Sequence, residues 1–571
     1  MHPVSKGAGR DCDACAIRQP LAGPTVSEVE TSLSSPVREL AEQVFAYQLE
    51  NSPFLRVRRH LPIEHLRPES DASWQADAAF ARSVLREVRT AAPVDEDDRL
   101  TAGFLEHVLG GWVDRADHLH LGFTVTPYSS FFLSMGLQQA FTGFHGSPDV
   151  YLSLVGDHRD QVVELGARLL RQREAGVLIP RAALEGVRES LLRTRTAASS
   201  LLSQSSPSAI RERVTTLVEA EVLRAYDDVL SLIDDEYAAQ APDRVGLAQY
   251  DGGEEYYRVL VRQHTASDLT PERVHALGLE QVAVLTARMA KARADMGVDG
   301  EEREFHERLA VQFRAQDPGD VERLFLRHMR ALEPLIGQWF SVLPEAPYGV
   351  ARLEPEREAG MTYGYYEPPT PEQPVGRYRW NGRDLDQKST LTYAALIFHE
   401  LAPGHHFHLA RQAENAALPD VRRESMDIGA FNEGWAEYAA GLGWEMGLYA
   451  DPLDGYGRLV HERFTAQRLV VDSGLNLLGW TLEHAAGYMR ANTTESEGQI
   501  ATEVMRYATD LPAQALAYRA GFLELNRIRT RASEALGGRF DVREFHEQVL
   551  APGALPFPVI EGHVDRWAAS L

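Results

Sequence analysis

Cysteine and long apolar runs are nearly absent from this chain. Its 571 residues include two cysteines, which excludes a disulfide framework, although a chain of this length can bury a core without one. Cys12 and Cys15 form a CxxC pair that supplies only half of a structural zinc site, so we interpret them as reduced thiols on a flexible tail, residues 1–26. No apolar run approaches the roughly 18 residues of a membrane helix, because the longest candidate, 394–398, is interrupted by a His-Glu pair.

Positive charge is also scarce. The chain has 58 Lys and Arg against 83 Asp and Glu, a formal net charge of −25. An acidic surface argues against nucleic acid or an anionic membrane as the main partner. Basic Lys6 and Arg10 are not followed by an apolar segment. We therefore expect no secretory signal and a cytoplasmic protein.

Helical periodicity dominates what is present. Apolar residues recur at three- and four-residue intervals in 37–49, 214–237, 274–296 and 321–340. Thr270 followed by Pro271 predicts the start of the third helix. The segment 197–207 is the best linker candidate, although a turn between helices would fit equally well. The region 343–387 is rich in Pro, Gly and Tyr, and alternation in 376–380 (GRYRW) predicts short strands. The expected fold is mostly α with a small β element.

The segment 398–409, FHELAPGHHFHL, concentrates four of the chain's 20 histidines. In a zinc-peptidase helix, two His at i and i+4 bind one metal while the intervening Glu acts on its water. Here Pro403 occupies the i+4 position after His399. His405 would lie about 120° away from the His399 face of an ideal helix, whereas His406 would return to within about 20° but about 10 Å along the axis. Either ligand therefore requires a bulge or a break.

A proline-glycine pair can supply that break. Pro403 is followed by Gly404, and both residue types interrupt helices. We interpret the segment as a zinc helix with a two-residue insertion, in which His399 and His405 are ligands and His406 is the alternative ligand. A histidine-rich helix end without metal is the competing interpretation. The same His-Glu dipeptide recurs at 306–307, 461–462 and 546–547, where we expect solvated helix surface.

A second acidic segment completes the predicted site. Glu433 and Glu437, in FNEGWAEYAA, are four residues apart and share one helical face. Two His and one Glu leave a fourth zinc position open, which is typical of a catalytic site. Glu433 is the expected third ligand, and Glu437 would accept the second N–H of a ligand His. Trp435 and the neighbouring apolar residues argue against the alternative of an exposed acidic face.

These motifs resemble the DUF885 family, whose hallmarks are an HExxPGHH segment and a later NEGWAEY. Further segments are similar to the family pattern, namely 252–282, 507–529 and 545–561. The resemblance implies a single domain over 27–571, although many relatives carry a lipoprotein or secretory signal that this chain does not show. The family is more distantly similar to helical gluzincin peptidases of the angiotensin-converting-enzyme and thimet-oligopeptidase kind. That similarity implies a two-lobed helical body with a deep central channel over one Zn²⁺. A ligand set of two imidazoles and one carboxylate also suits zinc best.

The resemblance implies hydrolysis of amide bonds in short peptides or small peptide-like molecules. Glu400 would be the general base, and Tyr518 best matches the tyrosine that stabilises the oxyanion in the related peptidases. Packing against neighbouring apolar residues is an equal alternative for Tyr518. Three side chains are candidates to bind the substrate, namely Arg506, Tyr507 and Gln514. The alternative is that they form an internal ion pair or anchor a loop. Tyr365 and Tyr366 would line the channel unless they only pack.

Two other classes of function compete. The same residues would serve a tailoring enzyme of small-molecule metabolism that performs an elimination, isomerisation or deacylation. A binding protein that lost turnover is the third class, and the intact Glu400 argues against it. The sequence does not fix the oligomeric state.

Overall fold

The computed structural model describes residues 35–141, 144–315, 317–354, 358, 364–370, 373–385 and 388–571. The predicted tail at 1–26, with Cys12 and Cys15, lies outside these ranges. The described chain is mostly α-helical, as predicted. Among the described residues, no helix is both long and apolar enough to cross a membrane.

The first half of the chain is a succession of helices. They are α1 (Pro36–Asn51), α2 (Pro53–Arg58), α3 (Asp71–Thr90), α4 (Glu96–Asp117), α5 (Ser129–Phe141), α6 (Pro148–Glu174), α7 (Leu184–Gln204), α8 (Arg211–Leu217), α9 (Leu223–Leu232), α10 (Asp235–Gln240), α11 (Gly253–Thr265), α12 (Pro271–Asp295), α13 (Glu302–Gln312) and α14 (Pro318–Leu332). A π-helical turn, Val218–Val222, joins α8 to α9.

Three short strands follow and form one sheet. They are β1 (Tyr348–Arg352), β2 (Gly364–Glu367) and β3 (Gly376–Trp380). The central strand β3 pairs in parallel with β1 and antiparallel with β2. The alternation in GRYRW predicts β3 correctly, because every second side chain of that strand is buried.

The second half returns to helices and contains the predicted site. They are α15 (Tyr393–Glu400), α16 (His405–Glu414), α17 (Asp420–Arg423), α18 (Gly429–Leu442), α19 (Pro452–Asn476), α20 (Leu482–Asn492), α21 (Glu497–Met505), α22 (Leu516–Leu536), α23 (Val542–Leu550) and α24 (Phe557–Ser570). A π-helical turn, Arg506–Asp510, follows α21.

Helix starts follow local chemistry. The side chains of Ser35, Ser147 and Thr270 each accept a hydrogen bond from a backbone N–H of the first turn of α1, α6 and α12. Each of these helices has proline at its first position, where no N–H is needed. The predicted helices at 37–49 and 274–296 are confirmed as α1 and α12.

Two predicted helices and the linker need correction. The segment 214–237 is divided among α8, a π turn, α9 and α10, and the segment 321–340 leaves the helix at Leu332. Most of the linker candidate 197–207 belongs to α7, so only its last residues form a turn before α8. Apolar periodicity continues through these turns because their residues also face the core.

The described residues contain two large hydrophobic cores. The first is built from α1, α3, α4, α14, the sheet and the helices α15, α16, α18 and α22–α24. The second is built mainly from α5–α9. Helix α19 packs along α12, and α18 packs along α22. Helix α15 packs against α18 and α19, and α16 packs against α18, so these four helices meet at the predicted site.

Candidate metal centre

The HExxPGHH segment folds as two helices rather than one. Helix α15 ends at Glu400, and α16 begins at His405. A side chain at Gly404 would collide with the backbone carbonyl of His399, so the close approach of the two helices requires glycine. The carbonyl of Pro403 accepts a hydrogen bond of 2.9 Å from the Trp435 indole on α18. The break predicted from the Pro-Gly pair is confirmed.

This break brings three potential ligand atoms together. Glu433 Oε2 lies 3.4 Å from His399 Nε2 and 3.4 Å from His405 Nε2. Glu433 Oε2 is buried and accepts no hydrogen bond from any residue that the structure describes. Two atoms that each lie about 2.1 Å from a tetrahedral zinc are about 3.4 Å apart. The donor types and their separations therefore fit zinc, and the orphaned oxygen faces the space that a cation would fill.

His406, the alternative ligand, faces a different part of the molecule. Its Nδ1 lies 2.9 Å from the Tyr366 hydroxyl, and its Nε2 lies 3.0 Å from the Ala346 carbonyl. Both ring nitrogens are therefore hydrogen-bonded beside the sheet. The structure groups His405, not His406, with His399 and Glu433.

Glu437 contacts the other side of His399. Its Oε1 lies 3.1 Å from His399 Nδ1 and 2.7 Å from His461 Nε2. Its Oε2 accepts a hydrogen bond of 2.9 Å from the buried Arg458 guanidinium. Burial alone would lower the pKa of His399, but the carboxylates of Glu433 and Glu437 raise it to about 10. Glu437 therefore lies beside the ring nitrogen of His399 that is turned away from Glu433.

His399, Glu437 and His461 also form a cluster with metal-binding residue types. The charge of Arg458 decides against a second metal there, because a buried guanidinium already neutralises Glu437. A cation bound beside it would be repelled at low dielectric. We therefore assign this second cluster to hydrogen bonding.

His405 has a partner behind it as well. Its Nδ1 lies 3.3 Å from Nε2 of His408, one turn along α16. His408 is buried against Phe431 of α18. Burial lowers the pKa of His408 well below its usual value, which favours a neutral ring. When His405 carries its proton on Nδ1, it donates to His408 and leaves Nε2 free as an acceptor.

Glu400 and Tyr518 lie beside the same group of ligands. Burial raises the pKa of Glu400. The Tyr518 ring is nearly parallel to that of His399, at 10°, with 6.1 Å between centroids. Burial raises the pKa of Tyr518, and the charge of Glu433 adds to this increase. The phenol therefore keeps its proton beside the candidate ligands.

The predicted substrate-binding group is largely engaged within the protein. Arg506 donates a hydrogen bond of 2.5 Å to Gln514 and lies 3.7 Å from Glu503. Tyr507 is fully buried, and its hydroxyl donates to Glu503. Tyr507 therefore has no surface for a ligand, and the Arg506–Gln514 contact matches the alternative of an internal anchor. The Tyr366 hydroxyl is hydrogen-bonded to His406, while Tyr365 is half-buried on β2.

The expectation that the recurring His-Glu pairs lie on solvated surface is wrong at two sites. Glu462 is buried and pairs with Arg458 and Arg519, while His461 contacts Glu437. His546 is also buried and contacts the Tyr438 hydroxyl at 2.8 Å. Apart from Arg458, one turn before Glu462 on the same helix, the partners of these pairs come from other helices, so no local pattern predicts their burial.

Comparisons with known proteins agree on the fold. The family described as "Bacterial protein of unknown function (DUF885)" matches residues 59–564. A structure of a candidate lipoprotein from Colwellia psychrerythraea is 23% identical, with a TM-score of 0.81, and the match covers 94% of this chain and 100% of that one. A candidate lipoprotein of unknown function from Shewanella oneidensis is 16% identical, with a TM-score of 0.74 and coverage of 92% and 99%. No curated protein matches.

Proposed function

The chain belongs to the DUF885 family, and we propose that it is a zinc-dependent hydrolase of amide bonds in short peptides or small peptide-like molecules. The observation that carries the proposal is the buried, unbonded Glu433 Oε2, 3.4 Å from both His399 Nε2 and His405 Nε2. A buried carboxylate oxygen requires a partner, and two imidazoles facing it make a cation the best candidate.

Each residue of the centre has a role in this proposal. His399, His405 and Glu433 would hold the metal, while Glu437 and His408 would orient the two imidazoles through Nδ1. A bound zinc supplies Lewis acidity, which acidifies water and polarises a carbonyl. The Glu400 carboxylate would take a proton from the attacking water and return it to the leaving nitrogen. The Tyr518 hydroxyl, which keeps its proton, would donate to the oxyanion.

A tailoring reaction in small-molecule metabolism is the second candidate. The observation in its favour is that Arg506 is bonded to Gln514 and Tyr507 is buried. The carboxylate of a peptide substrate would therefore find fewer binding residues than the sequence predicts. The same metal ligands and the same general base would serve an elimination or a deacylation.

Metal content tests the site. We expect about one zinc per chain in untagged protein purified without chelator, and loss of that zinc in Glu433→Ala, because three protein ligands define the centre. The exposed Glu534 on α22 provides the control, since Glu534→Ala should keep its zinc. Absence of stoichiometric metal from the wild type, even after zinc is added back, would contradict the proposal.

Activity then separates the two reactions. Zinc-loaded protein is incubated with a pool of short peptides, beside Glu400→Gln, which we expect to bind zinc normally. Cleavage that falls by about 10²–10⁴-fold in the variant would support a peptidase with Glu400 as base. A zinc-loaded wild type that leaves every peptide intact would favour the tailoring reaction instead.

A further inference from the structure

A cavity of about 490 Å³ lies between α1, α3, α4 and the segment 421–427. Its volume falls within the roughly 300–1,000 Å³ of small-molecule sites. None of the candidate metal ligands lines it. It is therefore a binding space that the proposed metal chemistry does not use.

Its walls are aromatic and held in place. The lining includes Phe45, Tyr47, Phe54, Trp74 and Trp112. Tyr47 stacks on Phe80 with 4.1 Å between centroids, and its hydroxyl donates a hydrogen bond of 2.7 Å to Asp77. The walls are thus preformed, which lowers the cost of ligand binding.

Acidic groups outnumber basic ones in the lining of the cavity. Its lining contains four carboxylates, Glu69, Asp77, Glu424 and Asp427, and two guanidiniums, Arg67 and Arg115. Arg67 pairs with Asp77, and the Arg115 guanidinium lies 4.6 Å over the Trp74 ring. Glu424 pairs with Arg59, outside the lining. Glu69 lies close enough to Arg168, outside the lining, for their charges to interact, so Asp427 is the lining carboxylate that no described arginine neutralises.

Asp427 is the carboxylate best placed to receive that ligand. It accepts a hydrogen bond of 2.9 Å from the Ser425 hydroxyl, and it forms no ion pair with any described residue. Its side chain is exposed and lines the cavity, so a ligand that enters can reach it. A carboxylate beside aromatic walls gains from a cationic partner.

We propose that this cavity binds an ammonium group carried on an apolar or aromatic body. The ammonium would pair with Asp427, and the apolar body would pack against the aromatic rings of the lining. One hydrogen bond links the cavity wall to the chain segment of the candidate metal centre, because Asn432 Nδ2, next to Glu433, donates to the Met426 carbonyl. The amine could therefore belong to a free metabolite or to the amino terminus of a hydrolysed peptide.

Calorimetry with two small probes tests the proposal. Phenethylamine carries the ammonium, whereas N-acetylphenethylamine has the same ring without the charge. We expect the amine to bind at about one site per chain and at least about tenfold more tightly than the amide. Measurement on chelated protein keeps this result independent of the proposed hydrolase. Equal binding of the two probes, or no binding of the amine at millimolar concentration, would overturn the proposal.

Two variants locate the binding. Asp427→Asn should weaken the amine about tenfold and leave the amide unchanged, whereas Asp299→Asn, at an exposed position outside the lining, should change neither. Unaltered amine affinity in a folded Asp427→Asn protein would contradict the assignment. In zinc-loaded protein, phenethylamine is then tested as an inhibitor of peptide cleavage. If it raises KM without changing kcat, the cavity binds the amino terminus of the substrate. Binding without inhibition assigns it to a separate amine.

Discussion

At the scale of single residues, the sequence predicts the three grouped side chains and the neighbouring Glu437, but not His461 or His408. His399, His405 and Glu433 follow from spacing, because ligand type and local helix geometry are properties of the chain itself. His461 contacts Glu437 from another helix, and spacing carries no information about such a contact. His408 contacts His405 one turn along the same helix, so its spacing could have indicated that contact. These two histidines are what the structure adds around the ligands.

The first prediction concerns His408. His408→Phe removes the group that contacts His405 Nδ1, so the tautomer that leaves Nε2 free is no longer favoured. We expect zinc affinity to fall by about 10–100-fold, measured by competition with a chromophoric chelator at neutral pH.

A conservative variant provides the control for that loss. His408→Gln keeps an amide oxygen that can accept from His405, so it should retain more affinity than His408→Phe at similar thermal stability. Zinc affinity in folded His408→Phe equal to that of the wild type would show that the contact does not orient the ligand.

At the scale of elements, caps and breakers were readable from the sequence, whereas close helix contacts were not. Thr270-Pro271 predicts the start of α12, and Pro403-Gly404 predicts the break before α16. The continued periodicity beyond Leu332 misleads, because Ile336 and Phe340 are buried outside the helix. The approach of α18 to α22 depends on two glycines far apart in the chain, so no local pattern indicates it.

The second prediction tests that approach. A Cβ at Gly521 of α22 would collide with the Ala430 carbonyl and lie 2.7 Å from the Gly434 Cα on α18. Gly521→Ala must therefore push apart the helices that carry Glu433 and Tyr518. We expect a loss of about 1–3 kcal/mol in the free energy of unfolding together with weaker zinc binding, measured by denaturant titration and chelator competition.

A glycine in open space is the matched control. Nothing lies within 4 Å of a Cβ at Gly487 of α20, so Gly487→Ala should be neutral or stabilising by up to about 1 kcal/mol. If Gly521→Ala behaved like Gly487→Ala in both measurements, the tight contact would not position the centre.

At the scale of the whole molecule, apolar periodicity predicts the helical class, but composition does not predict how charge is distributed. The net charge of −25 suggests that charged groups lie outside, yet α19 carries buried Arg458, Glu462 and Asp472. Arg458 and Glu462 neutralise each other within a larger ion-pair network. Asp472 instead joins three parts of the chain through hydrogen bonds from Tyr257 on α11 and the backbone of Ala513 before α22. A long helix that is buried on every face can hold such charged groups only because other helices supply ion-pair and hydrogen-bond partners for them.

The last prediction uses the titration of Asp472. Burial raises the pKa of its carboxyl to about 7, although hydrogen bonds from Tyr257 and Ala513 act in the opposite direction. The unfolded value is about 3.9, so the folded chain holds the proton more tightly. The stability this contributes is complete below about pH 4 and is lost as pH rises through 7, with a slope of at most about 1.4 kcal/mol per pH unit.

Asp472→Asn cannot titrate, so the unfolding free energy of the wild type minus that of the variant should fall between about pH 5 and 7 and level off above. Urea titrations across this pH range measure that difference in unfolding free energy, with Asp299→Asn as an exposed control. A difference that stays constant with pH would mean that Asp472 is ionised throughout.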